Sequence, residues 1–131
     1  MAGLLAEFLR RSAGEPFVWG ERDCCLWAAE WIKQLTGRDV ASEWRGCYRS
    51  RIGCHRLLKR EGGLLTLISA IAEQNGFAPT ELPQPGDVVL VMFDHAEMLG
   101  VKTARGVALK CEPHGIMVCD LKPLNAWRIT V

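Results

Sequence analysis

Along the first part of the chain apolar residues recur at helical spacing, and along the last part they form short unbroken runs. Leu4, Leu5, Phe8 and Leu9 share one helical face and predict an amphipathic helix over 3–12, closed by Gly14 and Pro16. Trp27, Trp31 and Leu35 are spaced by four, with Ala28 and Ile32 beside them, and predict a central helix over 24–36 that Gly37 stops at the C′ position. Residues 38–50 read as a loop through Asp39, Ser42, Gly46 and Ser50. A third helix over 51–60 sets Leu57 and Leu58 against Arg56, Lys59 and Arg60 and closes at Gly62-Gly63; a fourth over 64–75 buries Leu64, Leu65, Leu67, Ile68 and Ile71 and stops at Gly76. Pro79, Pro83, Pro85 and Gly86 then make a connection in which no helix persists. After it come β-rich runs at 87–93, 97–102, 106–111, 115–120 and 126–131, with Arg105-Gly106 and Pro113-His114-Gly115 as hairpin turns. Helices first and strands afterwards imply an α+β fold, N-terminal helices packed on a C-terminal antiparallel sheet.

Length and charge narrow the classes. The chain has 131 residues, the size of one domain (1–131) with one core, and shows no internal repeat, linker or low-complexity segment. Its net charge is +1, from 16 basic and 15 acidic residues, which lacks the basic excess of a nucleic-acid-binding protein. The one local basic run, Arg45 to Arg60, reads as the solvated face of a helix and the loop before it. No apolar run approaches the roughly 20 residues of a membrane-spanning helix. The stretch Met1 to Arg11 is interrupted by Glu7 and carries its basic pair on the wrong side for a secretory signal, so the expected place of the protein is the cytoplasm where it is made.

The chemistry concentrates in Pro16-Phe17-Val18-Trp19-Gly20-Glu21-Arg22-Asp23-Cys24-Cys25. Asp23 is placed to cap the central helix, and Cys24 sits on its first turn. There the peptide dipoles favour a thiolate over a thiol, which is how a nucleophile is prepared. The alternative is that Cys24 and Cys25 are small buried apolar residues. The six cysteines are Cys24, Cys25, Cys47, Cys54, Cys111 and Cys119. In a cytosolic compartment they are expected to stay reduced. No C-x-x-C pair supports a structural zinc site, although Cys47, Cys54, His55, Cys111 or His114 remain as ligands that distant segments would have to assemble. No cofactor is expected.

Phe17, Trp19, Gly20, Asp23 and Cys24, followed by Pro85, Gly86, Asp87 and Val88, resemble the two signature blocks of the NlpC/P60 papain-like cysteine peptidases. In that family Asp-Cys-Ser-Gly opens the central helix, Pro-Gly-Asp leads into the first strand, and a histidine opens the next. The chain is more similar still to a group of small proteins from the tail gene clusters of siphophages and prophages. It shares with them Pro-Phe-x-Trp-Gly-x-x-Asp-Cys-Cys, Thr36-Gly37-Arg38-Asp39, Arg45-Gly46-Cys47-Tyr48 and Ala126-Trp127-Arg128. The resemblance implies a papain-like scaffold, other phage tail proteins as partners, and a path from the host cytoplasm to the virion tail. If the peptidase chemistry is intact, it also implies peptidoglycan as substrate.

That chemistry needs an imidazole beside the thiol and a polar group to orient it. In one register His95 replaces the family histidine and pairs with Cys24. In the other Met98 occupies that position and no proton can be moved. The second is preferred, because Leu99-Gly100-Val101 reads as strand interior and Asp94-His95 as the turn before it. Lys110, Glu112 and His114 compete for the orienting role. Cys25 and Leu26 stand where the peptidases have Ser and Gly, and His55 reads as a surface residue. Trp44, Arg45 and Tyr48 form an aromatic and basic segment of the kind enriched at protein interfaces, or else a packed loop. The expectation is therefore a structural or assembly component of a tail tip, with an active cysteine peptidase or amidase and a metal- or cluster-bearing tail protein as alternatives.

Overall fold

The computed structural model describes residues 2–131. Four helices come first: α1 (Ala2–Ala13), α2 (Cys24–Thr36), α3 (Arg51–Arg60) and α4 (Leu64–Gln74). Five strands follow: β1 (Val88–Phe93), β2 (Ala96–Thr103), β3 (Gly106–Lys110), β4 (Ile116–Cys119) and β5 (Asn125–Trp127). They form one antiparallel sheet in the order β4-β3-β2-β1-β5, so the arrangement is α+β with helices N-terminal to the sheet.

The helix boundaries follow from local chemistry. The Asp23 carboxylate accepts from the Leu26 amide at 3.0 Å and starts α2. Gly37, at φ 81°, ends it by donating its N–H to the Lys33 carbonyl. The face carrying Trp27, Ala28, Trp31 and Ile32 packs with Val88, Leu90, Leu99, Val101 and Ala108 of the sheet and with Leu5 and Phe8 of α1. Phe8 stacks on Trp27 with ring centroids 5.5 Å apart. Trp31 is fully buried, and its indole N–H donates to the Gly86 carbonyl at 2.8 Å, so that donor is satisfied. Truncating such a side chain costs on the order of 3–5 kcal/mol.

The opposite face of the sheet has its own small core. Val89, Val91, Val107, Leu109 and Ala126 are buried, with Phe93, Met98, Met117 and Leu121 packed against them. Gly100 makes this closeness possible, because a Cβ there would stand 2.6 Å from Val107 and 2.8 Å from the Ala108 carbonyl.

One boundary differs from expectation. The last strand was expected over 126–131, but pairing with β1 ends at Trp127. Beyond it the chain turns to the 78–80 segment, where Arg128 donates its N–H to the Ala78 carbonyl at 2.8 Å. Pro79 bridges Trp127 but has no N–H with which to extend a ladder. The Arg128 guanidinium meanwhile reaches the Asp87 carboxylate at 3.0 Å.

Candidate functional site

The site begins with a buried carboxylate. Asp23 is only 1% exposed and accepts from three segments: the Gly20 amide at 3.0 Å, the Leu26 amide at 3.0 Å and the Tyr48 hydroxyl. A carboxylate removed from water needs such partners, and here each one fixes a different piece of chain. Gly20, at φ 84°, is required as glycine, since a Cβ would lie 2.0 Å from the Tyr48 carbonyl oxygen. The loop before α2, its first turn and the 46–48 segment are thereby bound into one unit. Tyr48 holds its proton more firmly than an ordinary tyrosine, first because it is buried and then because the Asp23 carboxylate accepts it.

This unit presents Cys24 to a cleft of about 480 Å³ at the end of the sheet. Phe17 and Trp19 line it from the loop, with rings in edge contact at 4.9 Å. Arg51, His55 and Leu58 line it from α3, Glu97 and Met98 from β2, and Lys110, Glu112 and Met117 from the region of the β3–β4 hairpin. The Cys24 Sγ stands 3.9 Å from the Cys25 Sγ. The Cys25 thiol is pushed well up, chiefly by its hydrogen bond to Cys24 and then by burial. Cys54 also lines the cleft, and its thiol is pushed up to about 11 by burial before any other cause.

The three histidines are placed differently from one another. Asp94 and His95 form the two-residue turn between β1 and β2, with φ of 50° and 64°. Positive φ at both central positions is the geometry that matches the twist of an antiparallel hairpin. His95 is exposed at that tip and is not among the residues lining the cleft, whereas Met98, paired with Val91 in the strand, is. His114 is exposed too, and its backbone bridges Pro16. The imidazole that does border the cleft is His55. Its signal lay in the spacing Arg51, His55, Leu58, one face of α3 at helical intervals, which the basic character of the helix masked.

The remaining candidates are engaged within the chain. Lys110 is 1% exposed, and its ammonium donates to the carbonyls of Ser12 at 2.8 Å and Glu15 at 2.6 Å. It fastens the C-terminal end of α1 to the sheet, where a cation is favoured by the helix dipole. Burial lowers its proton affinity below that of an ordinary lysine. Tyr48 is buried, and the partly exposed Arg45 guanidinium is held by Asp39 at 3.0–3.2 Å. Trp44 is half-buried against the cluster of Leu26, Ala29, Cys54 and Leu57. Among the described residues, no group of three or more His, Cys, Asp and Glu side chains is close enough to hold a metal ion. No described helix is long and apolar enough to cross a membrane.

The fold and site define an α+β protein with a capped helix that delivers a thiol to a cleft at the end of an antiparallel sheet. The chain belongs to the family described as "Domain of unknown function (DUF6950)", which it matches over residues 2–129. No curated protein and no solved structure matches it.

Proposed function

We propose that this protein is a structural or assembly component of a phage or prophage tail tip, built on a papain-like NlpC/P60 scaffold that no longer performs peptide hydrolysis. The reading is supported by the motifs shared along the chain with small tail-cluster proteins, and by what stands beside the thiol. Among the described residues, the hydrogen-bonding neighbour of the Cys24 Sγ is the Cys25 thiol at 3.9 Å. A thiol cannot serve as the base that a cysteine nucleophile needs near neutral pH when its own proton is held so firmly. Met98 lines the cleft and has no proton to move, while His95 faces solvent from the hairpin tip. Cys25 and Leu26 also stand where the peptidases carry Ser and Gly. The protein is made in the host cytoplasm and incorporated into the virion tail through contacts with other tail proteins.

A second reading, hydrolysis of peptidoglycan stem peptides, is favoured by one observation: His55 borders the cleft that holds Cys24. Two measurements separate the readings. Purified protein incubated with cell-wall muropeptides is expected to leave them uncut. The protein is also expected to copurify with tailed particles and to be detected in them by mass spectrometry. Cleavage that disappears in Cys24→Ala and in His55→Ala or His95→Ala overturns the structural reading, as does absence of the protein from particles and from assembly intermediates.

A further inference from the structure

Adjacent residues of a helix project about 100° apart, so neighbouring side chains do not ordinarily meet. Cys24 and Cys25 depart from this, because their Sγ atoms approach to 3.9 Å within the first turn of α2. The pair is poorly placed to close on itself. Adjacent Cα atoms lie about 3.8 Å apart, below the roughly 4.4 Å at which disulfide geometry begins, and the helical turn holds them there. Two sulfurs therefore stay side by side as thiols in the lining of the cleft.

The surroundings are equally unusual. Besides Cys24 and Cys25, the cleft is lined by Cys54 and Cys111 and by the thioethers of Met98 and Met117. Thiolate and thioether sulfur are the soft ligands that select copper(I) over harder ions. A zinc-type tetrahedral site is not on offer, since no group of three or more His, Cys, Asp and Glu side chains converges among the described residues. Two converging sulfurs with further sulfur around them suit a cation content with low coordination.

We propose that Cys24 and Cys25 form a two-thiolate binding site for a soft monovalent cation of the copper(I) class, in a cleft that the Met98 thioether also lines. Binding exchanges protons for metal and moves no electrons: one copper(I) and two thiols give a bis-thiolate complex of net charge −1 and two released protons. Without the cation, two thiolates 3.9 Å apart would repel one another. With it, the net negative charge sits at the positive end of the α2 dipole, which favours it, and beside the buried Asp23 carboxylate, which opposes it. Copper binding stands independently of the tail assignment, and neither outcome of the muropeptide experiment bears on it.

The test is an anaerobic titration of the full, reduced protein with copper(I) against bicinchoninate, a chromogenic chelator of that ion. One equivalent is expected to bind. Affinity is expected to rise about 100-fold from pH 6 to pH 7, because two protons leave. Cys24→Ser and Cys25→Ser are each expected to weaken binding on the order of 100-fold, since the second sulfur acts at high effective concentration. Cys47→Ser, at an exposed thiol outside the cleft, is expected to leave it unchanged. Unaltered affinity in both cleft variants, independence of pH, or loss of the equivalent in Cys47→Ser overturns the proposal. A measurement on the unaltered protein guards against misfolded variants. After copper loading and alkylation, the peptide holding Cys24 and Cys25 should be protected while Cys47 is labelled, and labelling at both sites overturns the assignment.

Discussion

The two residues that a cysteine peptidase would pair, Cys24 and His95, belong to regions built on opposite terms. The turn that carries Cys24 is fixed by a buried carboxylate shared among Gly20, Leu26 and Tyr48, each bond tying a separate segment. The turn that carries His95 is exposed at the tip of its hairpin, and both its residues hold a backbone conformation that L side chains adopt at a cost. The turn that carries the thiol is thus tied to three segments through Asp23, while the loop histidine of the hairpin is left in solvent.

The largest way to break this contrast is Asp23→Ala. It leaves two amides and a phenol without their buried acceptor and removes the cap of α2, so a loss of about 3 kcal/mol is expected in denaturant unfolding. A loss below about 1 kcal/mol would show that water replaces the carboxylate and that the unit is not shared as described.

The other side of the contrast is sharpened by His95→Gly. Glycine accepts φ of 64° without strain, and Asp-Gly is a preferred pair for this turn, so stability should rise by about 1 kcal/mol. A fall in the melting temperature would mean that His95 makes a stabilising contact. The smallest effect belongs to the loop between α2 and α3, where the Arg45 guanidinium, ahead of other causes, holds the Asp39 carboxyl below its ordinary value. The ionised pair therefore contributes above the unfolded carboxylate's pKa of about 3.9, and the contribution is lost as pH falls through the lower folded value. Because the pair is partly exposed, Arg45→Ala should cost only about 0.5 kcal/mol near pH 6, with the difference vanishing in strong acid. An equal cost at both pH values would point to packing of the arginine stem instead.

Much of the fold was legible because its signals are local. The tryptophan stripe, the Asp23 cap and the Gly37 stop fix α2 from residues within a few positions of one another. The hairpin at Asp94-His95 was readable in the same way, since a turn pair between apolar runs states its own geometry. The last strand was misjudged past Trp127, because its end is decided by Pro79 and Asp87, far away in sequence. Lys110 gave no hint of burial, because the carbonyls that receive its ammonium belong to α1. Tyr48 looked like a contact residue and is instead a donor to Asp23 across 25 positions.

The sequence by itself determined where helices and strands begin, that helices precede the sheet, and that a thiol would top α2, because periodicity, caps and glycine stops act over a few residues. Only the tertiary structure decided what that thiol meets. The cleft is closed by α3, β2 and the β3–β4 hairpin, and their approach is set by packing among segments that share no local code. That packing put the sulfurs of Cys25 and Met98 at the cleft and left His95 in water.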